Sequence, residues 1–203
     1  TLPEAGKSLV SSIDIELQAY GEKLFENKIG GLVAIEPSTG EVLAMVSSPG
    51  YDPNLLVGRK RGYYYDSLIH ADNRPLFNRA INSAYPPGST FKVAQAMVAL
   101  DGGFISENTS IPCNKSWVNC HNHPNATSVS KAVQFSCNPY FYQVFKRMVQ
   151  RGYEESIFRD SPLGLDLWKE KITMLGFGQA LDVGLPGVSA GQIPGSDYYD
   201  ALY

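Results

Sequence analysis

The chain has 203 residues, 43% of them hydrophobic and 18% charged. That is a globular mixture, long enough to bury a core and unlike a fibre or a disordered segment. Seventeen basic against twenty acidic residues give a formal net charge of -3, which argues against nucleic-acid binding through bulk charge; Arg59, Lys60 and Arg61 are one short basic cluster. The longest apolar stretches, such as Val93 to Leu100 with its Gln95, fall well short of a membrane span. No charged-then-apolar leader opens the sequence, so it reads as a mature protein or a fragment.

Taken in chain order, Ser8 to Ser12 reads as the end of a strand. Asp14 is placed to cap a helix in which Leu17, Tyr20, Leu24 and Phe25 recur at helical spacing to about Asn27. Two apolar runs, 31–37 and 41–47, are joined by Ser38, Thr39 and Gly40, which predicts an antiparallel hairpin. Pro49 to about Ile81 shows no clear period and predicts a long irregular loop, a feature that is usually functional. In it, Tyr63, Tyr64 and Tyr65 form an aromatic cluster expected to pack on the core rather than line a groove. After the rigid Tyr85-Pro-Pro-Gly88, a buried helix is predicted from Ser89 to Leu100, ended by Gly102 and Gly103. Further helices are predicted over Ser130–Phe135, Pro139–Met148 and Leu165–Leu175. One helix, two strands, then many helices suggest an α+β fold with a helical subdomain after the hairpin. Two strands are fewer than a sheet of ordinary size requires.

Three cysteines are an odd number, far below the density of a disulfide scaffold. Cys113, Cys120, His121, His123 and the later Cys137 supply ligand types that suit zinc. Their spacing matches no tight Cys-x-x-Cys pattern, so the expectation is no metal and a polar loop. That loop would be closed by a Cys113–Cys120 disulfide in an oxidising compartment.

The chemistry concentrates at Ser89 and Lys92. Three apart on a helix, they share a face, and a lysine with a lowered pKa can take the serine proton. The first helical turn also favours developing negative charge on an attacked carbonyl. The bare patterns are weak. Ser-x-x-Lys recurs at Ser128/Lys131, and Ser-x-Asn is found at both Ser106/Asn108 and Ser136/Asn138. Ser128 and Ser106 read as an ordinary cap and a loop residue. Ser136-Cys137-Asn138, between two predicted helices, could project a hydroxyl and an amide into a cleft. Asn138 could alternatively be a plain turn residue.

Taken together, these motifs resemble the transpeptidase domain of a penicillin-binding protein, in its class B, monofunctional branch. The segments that carry the resemblance are Ser12–Gln18, Val33–Pro49, Tyr51–Asn54, Asn78–Ile81, Tyr85–Lys92, Ser136–Tyr142, Leu175–Gly178 and Gly191–Pro194. Within the branch the likeness is to cell-elongation transpeptidases. The resemblance implies a serine β-lactamase/transpeptidase-like fold, with an antiparallel sheet flanked by helices. It implies Ser89 as the acylated nucleophile, Lys92 as its general base, Ser136 as a proton relay, and Asn138 as the residue binding the substrate's peptide carbonyl. The implied reaction cross-links peptidoglycan stem peptides through an acyl-enzyme, with no cofactor, and β-lactams would acylate Ser89. Other cell-elongation proteins are implied partners, at the periplasmic face of the inner membrane. No Lys-Thr-Gly or Lys-Ser-Gly occurs in the sequence, so 1–203 is expected to be a partial domain, without its anchor and pedestal region and its last strands. A β-lactamase, a β-lactam sensor and a non-catalytic cell-wall scaffold are the alternatives. Nothing in the sequence marks a deacylating base, which disfavours the β-lactamase.

Overall fold

The computed structural model describes Gly6 and residues 8–202. These form two compact units, one running to Ser83 together with Leu185–Ser189, the other comprising Ala84–Gly184 and the residues from Ala190 onward.

The first unit is built on the predicted hairpin. β1 (Gly30–Ile35) pairs antiparallel with β2 (Val42–Ser48), from Gly30 opposite Ser48 to Ala34 opposite Ala44, with a slip between Ala34 and Ile35. Helix α1 (Ile15–Leu24) starts where Asp14 was expected to cap it: Asp14 Oδ1 accepts the N–H groups of Glu16 and Leu17. α1 lies on β2, where Gly21 lets Val46 approach closely. Gln18 accepts from the Met45 N–H at 2.8 Å and donates to the Met45 carbonyl at 3.0 Å, occupying edge groups that would otherwise invite another strand. The segment before α1 is not a strand. Among the described residues it bonds to β2 through Ser12 Oγ to the Val42 carbonyl and the Asp14 N–H to the Leu43 carbonyl.

The region expected to be irregular contains helices. A 3-10 turn covers Pro53–Leu56, capped by Asp52, and is followed by α2 (Arg61–Ile69) and the single turn α3 (Arg79–Asn82). The periodicity was invisible because α2 buries no residue, so it carries no apolar stripe. Tyr63 and Tyr65 are 75% and 49% exposed, which corrects the expectation that this cluster packs on the core. α3 sits against β1, where a Cβ on Gly31 would come within 2.9 Å of the Ala80 nitrogen.

The second unit is helical. A 3-10 turn (Gly88–Thr90) leads into α4 (Phe91–Asp101), followed by α5 (Val129–Gln134), α6 (Asn138–Val149), α7 (Ile157–Met174) and α8 (Ser196–Asp200). Ala94, Val98 and Ala99 of α4 meet Tyr140, Val144 and Met148 of α6 and Trp168 and Ile172 of α7 in one buried cluster. Phe91 and Phe145 set their rings edge-on to Trp168. Fully burying a side chain such as Met148 or Ile172 is worth about 1.5–3 kcal/mol. This packing, rather than helix propensity, holds α4 and α6 in register.

α7 begins eight residues before the predicted start, because Pro162 and Gly164 read as helix breakers. Two contacts offset them. The buried carboxylate of Asp160 accepts N–H groups from Gly152, Tyr153 and Glu154, which hold it below the usual carboxylate range against the cost of burial. Gly164 permits α7 to lie directly on the Val149 carbonyl at the end of α6.

Candidate active site

Ser89 occupies the middle of the 3-10 turn, exposed, at the point where the rigid Pro86-Pro87 segment delivers the chain to α4. Lys92 is the second residue of α4. Its Nζ crosses to the α5–α6 turn and donates to the Ser136 carbonyl at 2.7 Å, Ser136 Oγ at 3.0 Å and Asn138 Oδ1 at 2.6 Å. Ser136 and Asn138 lie 44 and 46 residues further along the chain, so packing of α4 on α6 joins the two motif elements. Sequence spacing predicted a direct hydroxyl–amine contact. Among the described residues, however, Ser89 Oγ has no hydrogen-bond partner, because three acceptors on the turn already take the amine.

The turn itself is held in an unusual shape. Ser136 has φ of 49°, a left-handed conformation that costs a non-glycine residue energy. The Ser136 N–H to the Val133 carbonyl and the Cys137 N–H to the Ala132 carbonyl close the end of α5 and stabilise it. α6 then starts at Asn138 itself, with Pro139 in its first turn. The result aims Ser136 Oγ and the Asn138 amide at one point, the Lys92 amine. Burial lowers the Lys92 pKa, and negative charge at Cys120 and Cys137 opposes that shift. Beside these groups, Phe91, Phe141 and Phe145 line an open cleft of about 270 Å³ together with Gly88 and Gln95.

The competing motif matches do not reach this cleft. Ser128 caps α5 by accepting the Lys131 N–H, and Ser106 bonds Thr109 in a loop, as expected of a cap and a loop residue.

A second cluster adjoins the first, and it brings together ligand types whose spacing in the sequence showed no metal-binding pattern. The three cysteines are free thiols. The ligand atoms of Cys113, Cys120, His123 and Cys137 all lie within 4.8 Å of one another; His121 is outside the group. His123 Nε2 is 3.4 Å from Cys113 Sγ and 3.3 Å from Cys120 Sγ, while its Nδ1 bonds the Pro124 carbonyl at 2.6 Å. Zinc–sulfur bonds of about 2.3 Å and zinc–nitrogen bonds of about 2.0 Å at tetrahedral angles put sulfur and nitrogen about 3.5 Å apart. The donor set therefore fits zinc, with His123 oriented by an outer hydrogen bond. The tight-spacing test missed it because Cys137 is delivered by the α5–α6 turn, not by the loop.

Electrostatics vary sharply across the cluster. Burial and the hydrogen bond with Cys137 push the Cys113 thiol up to about 11. Burial also acts to raise Cys120, but the Asn138 N–H and His123 outweigh it and leave its pKa lowered. The Pro124 carbonyl and Cys120 raise His123.

The two clusters share Asn138. Its backbone N–H donates to Cys120 Sγ at 3.4 Å and its Nδ2 to the Asn119 carbonyl at 2.8 Å, while its Oδ1 holds Lys92. Asn119 acts through a main-chain atom, which no residue pattern advertises.

Comparison with known proteins adds the family. The penicillin binding protein transpeptidase domain matches residues 30–202. The chain is 33% identical over 97% of its length to the peptidoglycan D,D-transpeptidase MrdA of Acinetobacter baumannii, and 32% identical over 95% to that of Escherichia coli K12. It spans only 28% and 30% of those relatives. Among solved structures, Pseudomonas aeruginosa PBP2 in complex with WCK 5153 superposes with a TM-score of 0.74 at 32% identity, covering 94% of this chain and 42% of that one. The imipenem acyl-enzyme of penicillin-binding protein A from Mycobacterium tuberculosis gives 0.71 at 29%, covering 93% and 45%. The chain therefore belongs to the penicillin-binding protein transpeptidase domain family, in its PBP2 (MrdA) branch.

Proposed function

We propose that this chain carries the acylating half of a peptidoglycan D,D-transpeptidase site, with Ser89 as nucleophile and Lys92 as its general base. The carrying observation is the convergence of the Lys92 amine on Ser136 and Asn138 one helical turn from Ser89. In its neutral form Lys92 keeps two N–H donors for the Ser136 carbonyl and Asn138 Oδ1. Its lone pair then receives the Ser89 proton, directly or through the Ser136 hydroxyl. Ser89 Oγ attacks the carbonyl of the penultimate D-Ala of a stem peptide. The C–N bond breaks, and the leaving D-Ala amine takes the proton from Lys92 by way of Ser136. An amine of a second stem peptide reverses these steps and forms the cross-link. Asn138 Nδ2 can hold the substrate's peptide carbonyl once it turns from Asn119. A β-lactam mimics the first step and stays attached, consistent with the acyl-enzyme described for the mycobacterial relative.

In this reading residues 1–203 are a partial domain, completed by strands that supply the Lys-Thr-Gly motif and anchored at the periplasmic face of the inner membrane. No helix among the described residues is long and apolar enough to cross a membrane. Cell-elongation proteins are proposed partners, as MreC is for the Helicobacter pylori PBP2. The test is D-Ala release from a synthetic stem pentapeptide by the full-length protein. Release with transfer to an added amine is expected. Acylation by penicillin without any D-Ala release would instead mark a sensor.

The proposal extends to a structural zinc at Cys113, Cys120, His123 and Cys137. Four protein ligands leave no open position, the pattern of a site that ties chain segments together, here the 113–123 loop to the α5–α6 turn. Protein purified without chelators is expected to contain stoichiometric zinc by elemental analysis, with the content falling sharply in Cys113→Ser. Metal-free wild-type protein that resists reloading would contradict the assignment.

A further inference from the structure

Cys113 and Cys120 lie seven residues apart on one loop, both partly exposed, with their sulfurs inside the same 4.8 Å group. Neither is part of the proton path, yet Cys120 Sγ accepts the Asn138 N–H, and the neighbouring Asn119 carbonyl accepts Asn138 Nδ2. Asn138 in turn holds the Lys92 amine at 2.6 Å. Two links therefore join a pair of oxidisable thiols to the general base.

We infer that Cys113 and Cys120 are a reversible thiol–disulfide site, and that closing this disulfide releases Asn138 and misplaces Lys92. The inference rests on the acylation and zinc readings above. With a small disulfide as oxidant, the Cys120 thiolate attacks one of its sulfurs. A mixed disulfide forms and the first thiolate of the oxidant leaves. The Cys113 thiolate then attacks Cys120 Sγ, expelling the second. The two protein thiols lose two electrons, the oxidant gains them, and the two thiol protons end on the released thiolates. The new bond holds the sulfurs about 2 Å apart. That distance is incompatible with two separate zinc–sulfur bonds, and a disulfide sulfur is a poor acceptor for the Asn138 N–H. Bound zinc occupies both thiolates and blocks the attack, so metal and disulfide exclude one another. Cys137, fully buried, is shielded from the oxidant.

The test treats the full-length protein, zinc-loaded or chelator-stripped, with oxidised glutathione and then dithiothreitol. Peptide mapping of the stripped protein is expected to show a Cys113–Cys120 link with loss of two hydrogens, and the loaded protein should stay reduced. Hydrogen exchange of the peptide carrying Asn138 should rise on oxidation and fall again on reduction. Acylation by a fluorescent penicillin should slow about tenfold to a hundredfold, the range for displacing a reacting group by about an ångström, and recover with dithiothreitol. In Cys113→Ser, oxidised glutathione should produce no intramolecular link. Glutathione adducts without that link, or a link that changes neither exchange nor acylation, would overturn the inference. A reduced protein that never acylates, while the link forms and the exchange responds, would sink the Ser89 reading and leave this one standing.

Discussion

Replacing Lys92 by alanine is expected to slow penicillin acylation by about a thousandfold, within the usual range for a lost general base. The amine is the only cation facing Ser136 and Asn138 in the hydrogen-bond network of the described residues, and it stands one helical turn from Ser89. Lys92→Arg separates chemistry from packing, because it keeps a positive charge and several donors but does not deprotonate at accessible pH. Both variants should lose acylation, whereas Lys92→Arg should keep most of the stability. The pH dependence carries a definite sign. Burial lowers the Lys92 pKa, so the reactive neutral amine accumulates as pH rises through a value below that of an ordinary lysine. The acylation rate should therefore climb with pH across that lowered value and level off above it. Stopped-flow acylation at a series of pH values checks this, and a flat profile in the wild type would argue against lysine as the base.

Gly164→Ala is expected to destabilise the helical unit by about 3 kcal/mol or more, the upper range for overpacking a tight interior. A Cβ there would stand 1.9 Å from the Val149 carbonyl oxygen and 2.6 Å from its carbon. Backbone cannot rotate away as a side chain can, so α6 and α7 must separate. Their shared residues Met148, Trp168 and Ile172 would lose contact as they do. For a chain of this size that corresponds to a fall of about 6–12 °C in Tm, measurable by calorimetry. The effect should reach acylation as well, because α6 begins at Asn138. Gly62→Ala, in the exposed α2 with open space around its Cβ position, should change Tm little.

Legibility in the sequence followed the kind of signal each element carries. The hairpin was readable because its two apolar runs flank a turn glycine, and both strands fall within two residues of their expected ends. α4 and α6 were readable from their apolar stripes and from glycine and proline at their boundaries. α2 was not, because a helix that buries nothing has no stripe to read. The start of α7 was hidden because Pro162 and Gly164 act through tertiary contacts that a single segment does not display. At the site, Ser89, Lys92, Ser136 and Asn138 were all named from motifs, yet the expected Ser89–Lys92 contact was replaced by a lysine bound to the turn. The sulfur–imidazole cluster was visible as residue types but not as a site. Its fourth ligand arrives through the fold, and spacing rules cover only ligands from adjacent turns.

If Ser89 forms the acyl-enzyme, a penicillin must leave its adduct on that side chain. The most direct measurement is the intact mass of the full-length protein after incubation with a penicillin, followed by mapping of the modified peptide, beside Ser89→Ala. One adduct is expected, located in the peptide that carries Ser89 and absent from the variant. An adduct of equal yield in Ser89→Ala, or one mapped to Ser136 or to a cysteine, would contradict it.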